Sequence, residues 1–500
     1  MINYIKSHLL WLYSIVRVYI LASKIRNYHS SEKCIAVYVT PWFGTLVTIY
    51  TIYLGLLLKH KYGRKLKFIF QDVVLGDRKI NPRFQYRYLF FLKVILRNVG
   101  DVITTSSVSF DKKTHSISAL SKKYAHIDFV HDYKTEIIDY ETNCYKKHLG
   151  DLNLLNTSIE VLLEIHANDI DFVIAPGGLS LSTGILRELC GKKNIRFVSF
   201  DSGVMGEYIL SVSGVACHLD DAALAYKRLY HNLSNHSKSA IKECVDQSIS
   251  DKRCGKDKFR SQASTSNANN YTFGNKHKSV LLILNVCWDG AALGQIKIFE
   301  SQLDWILNTI NWVLNNTNYN VYIRQHPAER FDFAKSNEDY KLHLATYLNN
   351  ARVKFISSSD DCSTYYLIQK SNLAVTLTST IALESIIMGT PALSISDCYY
   401  VKAGIVKSPN SVIEYYSLIS ALVENSDVSC SFSYDKVYFL YYIAQVMTWI
   451  ETDFLPSDNY KMWLKCDLDM IFEFPYVKSI LESITTGKTL YEQIIEKELV

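Results

Sequence analysis

The stretch Leu373 to Ser396, LAVTLTSTIALESIIMGTPALSIS, constrains the fold of this chain more than any other. Leu373 to Leu377 is a short apolar run of the kind buried in a parallel sheet. Thr378, Ser379 and Thr380 follow where a helix begins, and their hydroxyls can cap its first N–H groups, which lack partners within the helix. Gly389-Thr390-Pro391 ends that helix, and Ala392 to Ile395 returns as a strand. The pattern is a βαβ unit, so the chain contains an open α/β domain. A helix start with free N–H groups is also an anion site suited to phosphate. Glu384 lies one turn further in, on the face of Thr380, where it can reach the sugar hydroxyls of a nucleotide. A capped βα turn without a ligand has the same pattern, so this stretch alone leaves its chemistry open.

A second stretch lies upstream. Asn320 to Gln325 reads as a strand and runs into His326-Pro327-Ala328-Glu329-Arg330. Pro327 removes a donor and sets a turn at the strand's end. Arg324 and His326 therefore fall at the carboxyl edge of a sheet, where open α/β folds bind ligands. An imidazole and a guanidinium opposite a helix start suit a nucleotide monophosphate or diphosphate. A lone His-Pro is more often structural; its order and spacing relative to the hydroxyl-rich turn and Glu384 give it weight.

Several segments together resemble the bacterial capsule polysaccharide biosynthesis proteins, a set of GT-B-like glycosyltransferases that includes Kdo transferases. They are Leu284 to Gly294 (LNVCWDGAALG), Trp305 to Trp312, Tyr322 to Arg330 (YIRQHPAER), Val375 to Pro391, and Tyr399-Tyr400 with Gly404. Asp171 to Gly184 and Phe200 to Gly203 match more weakly. The resemblance covers roughly residues 165–460 and implies an α/β, GT-B-like fold. Such a fold has two Rossmann-like domains facing a cleft, with C-terminal helices that cross back onto the first domain.

Length and composition agree with two domains. Five hundred residues exceed one core, and a chain 48% hydrophobic and 21% charged is globular. A net charge of +5 permits anionic substrates and headgroups but gives no basic stripe for nucleic acid. The eleven cysteines are scattered with no C-x-x-C pair, which argues against zinc and for reduced thiols in the cytoplasm. Leu9 to Ser23 is apolar but short, carries Arg17 and is flanked by Lys6, Lys24 and Arg26. It reads as an interfacial or packing helix, with a peripheral contact on the inner membrane in view. Ile35 to Leu58 has no charge and is long enough to span a bilayer. Pro41-Trp42-Phe43-Gly44 interrupts it, so a buried strand, a loop and a buried helix are expected.

The expected division is a helical extension over 1–33, an acceptor domain over 34–247, a linker over 248–278, a donor domain over 279–435 and terminal helices over 436–500. The linker is rich in Lys, Ser, Asn and Asp and contains Lys252, Arg253, Lys256, Lys258 and Arg260, a cluster that is either solvated or directed at a phosphate. Residues 100–160 are polar and irregular, with helical patches that the pattern does not order. The Pro41 to Thr45 loop, with Gly44, and the Pro176-Gly177-Gly178 turn are expected on the acceptor side, because glycine permits close backbone approach. Neither is a G-x-G-x-x-G fingerprint, so no dinucleotide cofactor is expected.

Transfer from a nucleotide sugar needs a stabilised leaving phosphate and a base for the acceptor hydroxyl. The family's motif positions imply donor binding by Arg324, His326, Thr378, Ser379 and Thr380, with Glu384 on the ribose. Asp201, at a strand end, is the first candidate base and Asp289 the second. Asp169-x-Asp171 precedes its strand rather than following it, so a metal-independent enzyme is expected, with the nucleotide sugar as co-substrate and no other cofactor. The resemblance favours a CMP-linked acidic sugar such as CMP-Kdo, with a UDP-sugar as the alternative. The implied acceptor is a glycan or glycolipid, handled alongside the capsule-assembly machinery. A polyol-phosphate transferase, a sugar epimerase and a non-catalytic glycan-binding protein are the competing readings of the same fold.

Overall fold

The structure is a computed structural model that describes residues 2–25, 33–42, 45–72, 82–107, 116–203, 206–256, 277–424, 433–448, 450–456 and 463–498. The chain divides into two compact units. The first comprises Met1–Asp128, Asp139–Cys217 and Thr448–Glu496; the second comprises Phe129–Ile138, His218–Met447 and Lys497–Val500. Each is built on its own mostly or wholly parallel sheet, so the α/β architecture of two Rossmann-like domains holds.

In the first unit the strands are β1 (Cys34–Val39), β2 (Leu66–Phe70), β3 (Asp101–Thr104), β4 (Ile170–Pro176), β5 (Arg196–Ser202) and β6 (Tyr208–Ser211). They lie in the order β3-β2-β1-β4-β5-β6, parallel except for the antiparallel β5–β6 pair. β1 and β2 are buried along their whole length, Lys67 of β2 included, as strands covered on both faces should be. The uncharged run after Cys34 forms β1 and most of the helix Val47–Tyr62, whose residues Thr48 to Lys59 are all buried. An all-round apolar helix is a core helix. It runs one turn past the expected end and stops at Gly63, in the left-handed region at φ 66°.

Residues 100–160, unordered by pattern, contain β3 and the helices Ala119–Tyr133 and Asn143–His166. Within Thr448–Glu496, Tyr208 N–H donates to Ile450 O at 2.9 Å and Tyr50 O–H to Phe454 O at 3.2 Å. Those contacts pack this C-terminal segment on the first unit's core.

The second unit's strands are β7 (Ser279–Ile283), β8 (Asn320–Arg324), β9 (Val353–Ile356), β10 (Leu373–Thr376) and β11 (Ala392–Ser394). All are parallel, in the order β11-β10-β7-β8-β9. Alternate strand residues serve two cores. Val280, Leu282, Val321, Ile323 and Val375 pack with Trp305, Ile310, Tyr415 and Ile419 on one face. Leu281, Ile283, Tyr322 and Ala374 pack with Leu367, Ile368 and Ile381 on the other. Trp305 is fully buried, and its indole N–H donates to Tyr415 Oη at 2.8 Å. The helix Asn235–Arg253 belongs to this unit and runs through the first residues of the expected linker. Residues 257–276, with Lys258 and Arg260, lie outside the described residues.

Candidate functional site

Strand order fixes where a ligand can sit in the second unit. From β7 the chain builds outward to β8 and β9, then crosses to β10 and β11 on the other side. The order therefore reverses between β7 and β10, and the crevice outside those two carboxyl ends is where open parallel sheets bind ligands. Every candidate donor residue but one follows the carboxyl end of β7, β8 or β10; Arg324 is the last residue of β8.

A side-chain clamp spans that crevice. Asn285, just after β7, donates from Nδ2 to Thr378 Oγ1 at 3.0 Å and accepts the Thr378 N–H on Oδ1 at 3.2 Å. Gln302 in turn holds the Asn285 backbone. Its Oε1 accepts the Asn285 N–H at 2.8 Å, and its Nε2 donates to Asn285 O at 3.0 Å and to Tyr340 Oη at 2.7 Å. Gln302 has 0% exposure. Its own N–H, with that of Leu303, donates to the Glu136 carboxylate at the start of the helix Gln302–Asn316. That arrangement follows from the charge preference of helix starts. Burial pushes Glu136 up to about 7, against those two N–H groups.

The expected hydroxyls separate into two kinds. Thr378 is buried and committed to Asn285. Ser379 and Thr380 are half-buried at the start of the short helix Ile381–Ile387. The expected side-chain cap is only marginal: Thr380, at the N-cap, makes no such bond, and Ser379 Oγ lies 3.5 Å from the Ile381 N–H. Ala382 and Leu383 N–H groups close a tight first turn on Ser379 O and Thr380 O.

His326 ends the β8 edge as expected and caps the short turn Pro327–Arg330. Its Nδ1 accepts the Ala328 N–H at 3.2 Å, so the neutral ring carries its proton on Nε2 and presents a donor there. Burial, and secondarily the Arg324 guanidinium, push its pKa down to about 4, which keeps the ring neutral at physiological pH. Arg324 itself corrects an expectation. It is 1% exposed, and its Nη1 donates to Ser357 O at 2.5 Å with Nε 3.5 Å from Thr364 Oγ1. Its guanidinium braces the connection after β9 instead of standing open to an anion.

Glu384 is also placed differently from an open ribose ligand. It is 2% exposed; its Oε1 accepts Lys252 Nζ at 3.0 Å and Tyr441 O–H at 3.2 Å. Lys252 donates again to Gln445 Oε1 at 3.0 Å and lies 5.2 Å from the Tyr441 ring centre. Lys252 is thus a partner of the buried Glu384 carboxylate, a role its place in a basic run did not reveal.

Asp289 is exposed in the turn after β7, where its Oδ1 accepts the Ala291 N–H at 3.2 Å. The surrounding loop is pinned: His218 Nε2 donates to Gly290 O at 3.1 Å, and Lys134 Nζ lies 4.3 Å from the Trp288 ring centre. Asn285, Gln302, Lys252, Tyr441, Lys134 and His218 are all site-supporting residues that the motifs did not single out. The order LNVCWDG placed Asn285 at a strand end, which was the available signal.

In the first unit, Asp201 lies near the end of β5 with its Oδ1 accepting the Ser202 N–H at 2.8 Å. It is half-buried, and burial pushes its carboxyl up to about 6. The β4 turn lies at the same edge, with Gly177 N–H donating to Phe200 O at 3.0 Å. Gly177 and Gly178 have φ of 63° and 82°, and a Cβ on Gly178 would fall 2.7 Å from Phe197 Cε1. The helix that follows is capped from within, since Asp128 Oδ1 accepts the Leu181 N–H at 2.8 Å. Gly44 lies outside the described residues. Among the described residues no group of three or more His, Cys, Asp or Glu could hold a metal ion, and all ten described cysteines are free.

Comparison with known proteins finds one family-model match, and it falls within the second unit. Residues 218–415 match the family model of capsule polysaccharide biosynthesis proteins. No curated protein matches the chain. Among solved structures, the KpsC beta Kdo 2,4 transferase of Thermosulfurimonas dismutans is similar at 13% identity and a TM-score of 0.35, over 54% of this chain and 79% of that one. The beta Kdo 2,7 transferase KpsC of the same organism is similar at 13% identity and a TM-score of 0.30, over 57% and 79%. The UDP-GlcNAc 2-epimerase of Neisseria meningitidis, bound to UDP-GlcNAc, aligns at 12% identity and a TM-score of 0.26, over 83% and 99%. At these scores the likenesses carry no argument about activity.

Proposed function

We propose, on the premise that residues 218–415 match the capsule polysaccharide biosynthesis family, that this chain is a glycosyltransferase. It moves a sugar from a nucleotide donor to a growing capsule or related surface glycan. The observation that carries the reading is the match itself, which covers β7 to β11 and therefore the whole switch-point crevice. The donor class favoured is a CMP-linked acidic sugar, with a UDP-sugar as the alternative, and no metal takes part.

In this reading the acceptor hydroxyl gives its proton to a carboxylate, and its oxygen bonds to the anomeric carbon. The anomeric C–O bond to phosphate breaks, and the nucleotide departs with the electron pair. The Nε2–H of neutral His326 and the hydroxyls of Ser379 and Thr380 meet the charge that develops on the leaving phosphate. Asp201 is the preferred base. A carboxyl raised to about 6 is still ionised at neutral pH and is a stronger base than an ordinary aspartate. Asp289 is the second candidate. Arg324 and Thr378 hold the site in shape, and Glu384 meets the donor only after Lys252 has moved aside.

The test is thermal stability against CMP, UDP, GDP and CDP for the wild type, His326→Ala and Ser379→Ala. A nucleotide at a hundred times its Kd adds about 2.7 kcal/mol. One nucleotide should stabilise the wild type and fail to stabilise both variants, and its identity names the donor class. A chain stabilised by none of the four would sink the donor-site reading.

A further inference from the structure

Two packed helices of the first unit carry an apolar surface that the proposed transfer does not use. Ile2–Lys24 and Pro82–Leu96 lie against each other through His8 Nδ1 and Tyr88 Oη at 2.5 Å and through the Trp11 and Tyr88 rings at 5.6 Å. On the first helix Ile5, Leu9, Leu12, Tyr13, Val16 and Tyr19 are exposed; on the second, Tyr86, Phe90, Phe91 and Val94. These are ten of the twenty-three exposed large hydrophobic residues among the described residues, gathered on two of the many helices. Solvent alone does not favour such a concentration.

The charges on these helices select the occupant. Neither contains an Asp or a Glu, while Lys6, Arg17, Lys24, Arg87 and Lys93 fall within them; Arg17 and Lys24 reach Asp467, and Lys93 reaches Asp72. Lys6 and Arg87 are exposed beside the apolar stripe. A pair of helices that brings no carboxylate of its own, keeps Lys6 and Arg87 exposed and is rich in Tyr and Phe matches the interface of an anionic bilayer, where aromatic rings sit at headgroup depth. A second copy of the same face would oppose like charges. A spanning role fits poorly, although Ile5–Lys24 is long and apolar enough to cross a membrane. Trp11, Val18 and Leu21 are buried in the unit, and Arg17 donates to Leu464 O at 2.8 Å and Cys466 O at 2.7 Å. One face of the helix is thus fixed to protein and the other is left for lipid.

We propose that the helices Ile2–Lys24 and Pro82–Leu96 form a two-helix platform that docks the chain flat on an anionic membrane surface. The proposal is independent of the donor reading. Flotation of the full chain tests it, with vesicles of phosphatidylcholine alone and vesicles also containing phosphatidylglycerol. The wild type should float with the anionic vesicles, and less so as salt is raised. Phe90→Glu with Phe91→Glu, and separately Leu9→Glu with Val16→Glu, should each lower the bound fraction about tenfold or more. These side chains are exposed, so circular dichroism and Tm should stay as in the wild type. A wild type that stays unbound with phosphatidylglycerol present overturns the proposal, as do glutamate variants that bind like the wild type. Sedimentation showing a wild-type dimer that the variants abolish, without vesicle binding, gives the face to a second copy and overturns it too.

Discussion

Replacing Gln302 by leucine isolates the support beneath the switch-point crevice. Leucine nearly preserves the volume, so the change removes polar contacts without opening a large cavity. Three contacts go: the acceptor for the Asn285 N–H, the donor to Asn285 O and the donor to Tyr340 Oη, at 2.8, 3.0 and 2.7 Å. At 0% exposure no water replaces them. Each buried group left without a partner costs about 1–3 kcal/mol. The peptide groups of Asn285 are the two that cannot rotate away, so a total of about 4 kcal/mol is expected. In a unit of this size that lowers Tm by roughly 8–16 °C. Asn285→Ala makes the complementary cut. It keeps Gln302's grip on the backbone and loses only the two bonds to Thr378, for about 2 kcal/mol. Differential scanning fluorimetry of both variants beside the wild type gives the ordering. Gln302→Leu within about 1 kcal/mol of the wild type, or less destabilising than Asn285→Ala, would refute the claim that Gln302 carries this edge.

Further outcomes follow from other parts of the structure. Asp201→Asn should abolish transfer yet stabilise the chain at pH 8. With its folded pKa raised from 3.8 to about 6, Asp201 favours folding when protonated, and that contribution fades as pH rises through about 6. The asparagine variant should therefore gain at most about 3 kcal/mol at pH 8, from about two pKa units at 1.36 kcal/mol each, and nothing near pH 3; an equal effect at both values refutes the assignment. Wild-type kcat/KM should fall on the acid side near pH 6, whereas titration of His326 near 4 should leave no mark above pH 5. Lys252→Met leaves the buried Glu384 carboxylate with Tyr441 as its one remaining side-chain partner among the described residues and should cost about 3 kcal/mol. Adding Glu384→Leu should restore most of that stability in urea unfolding while leaving no nucleotide-induced rise in Tm. Gly178→Ala should be worse than Gly177→Ala, because both have positive φ but only Gly178 meets a neighbour, Phe197, at clash distance. Equal Tm values for the two would contradict that reading.

The sheets were legible because their signal is local. β1, β7 and β10 are apolar without alternation, which requires cover on both faces, and the turns that end β8 and β10 were visible in Pro327 and in Thr378 to Thr380. The helix Asn143–His166 was expected only as undelimited helical patches, although Leu149, Leu152, Ile159 and Leu163 recur at helical spacing. Buried polar residues interrupt its stripe: Asn153 Oδ1 accepts the Ser118 N–H at 2.9 Å and the Ser121 hydroxyl at 3.2 Å. The marginal cap by Ser379 and the buried settings of Arg324 and Glu384 were not legible for a different reason. A sequence displays a residue's chemistry but not its distance from solvent, and an arginine or glutamate at a strand or helix end reads as a ligand by default. What decides the matter is pairing over long separations, Asn285 with Thr378 and Lys252 with Glu384, and nothing in the spacing of those residues announces it.

This distinction orders the site itself. A charge sealed at 1% exposure, as on Arg324, is costly to strip of its partners, so it tolerates little movement during a reaction cycle. His326 Nε2, Ser379 Oγ and Thr380 Oγ1 belong to half-buried side chains on the same edge, held by backbone contacts and by the turns they end. Neutral donors suit an anion that must also leave, because a hydrogen bond from an uncharged group is weaker than one from a guanidinium. The buried guanidinium keeps the crevice in shape, and the small neutral donors around it are left to meet the phosphate. That division explains why residues of such different character share one edge of one sheet.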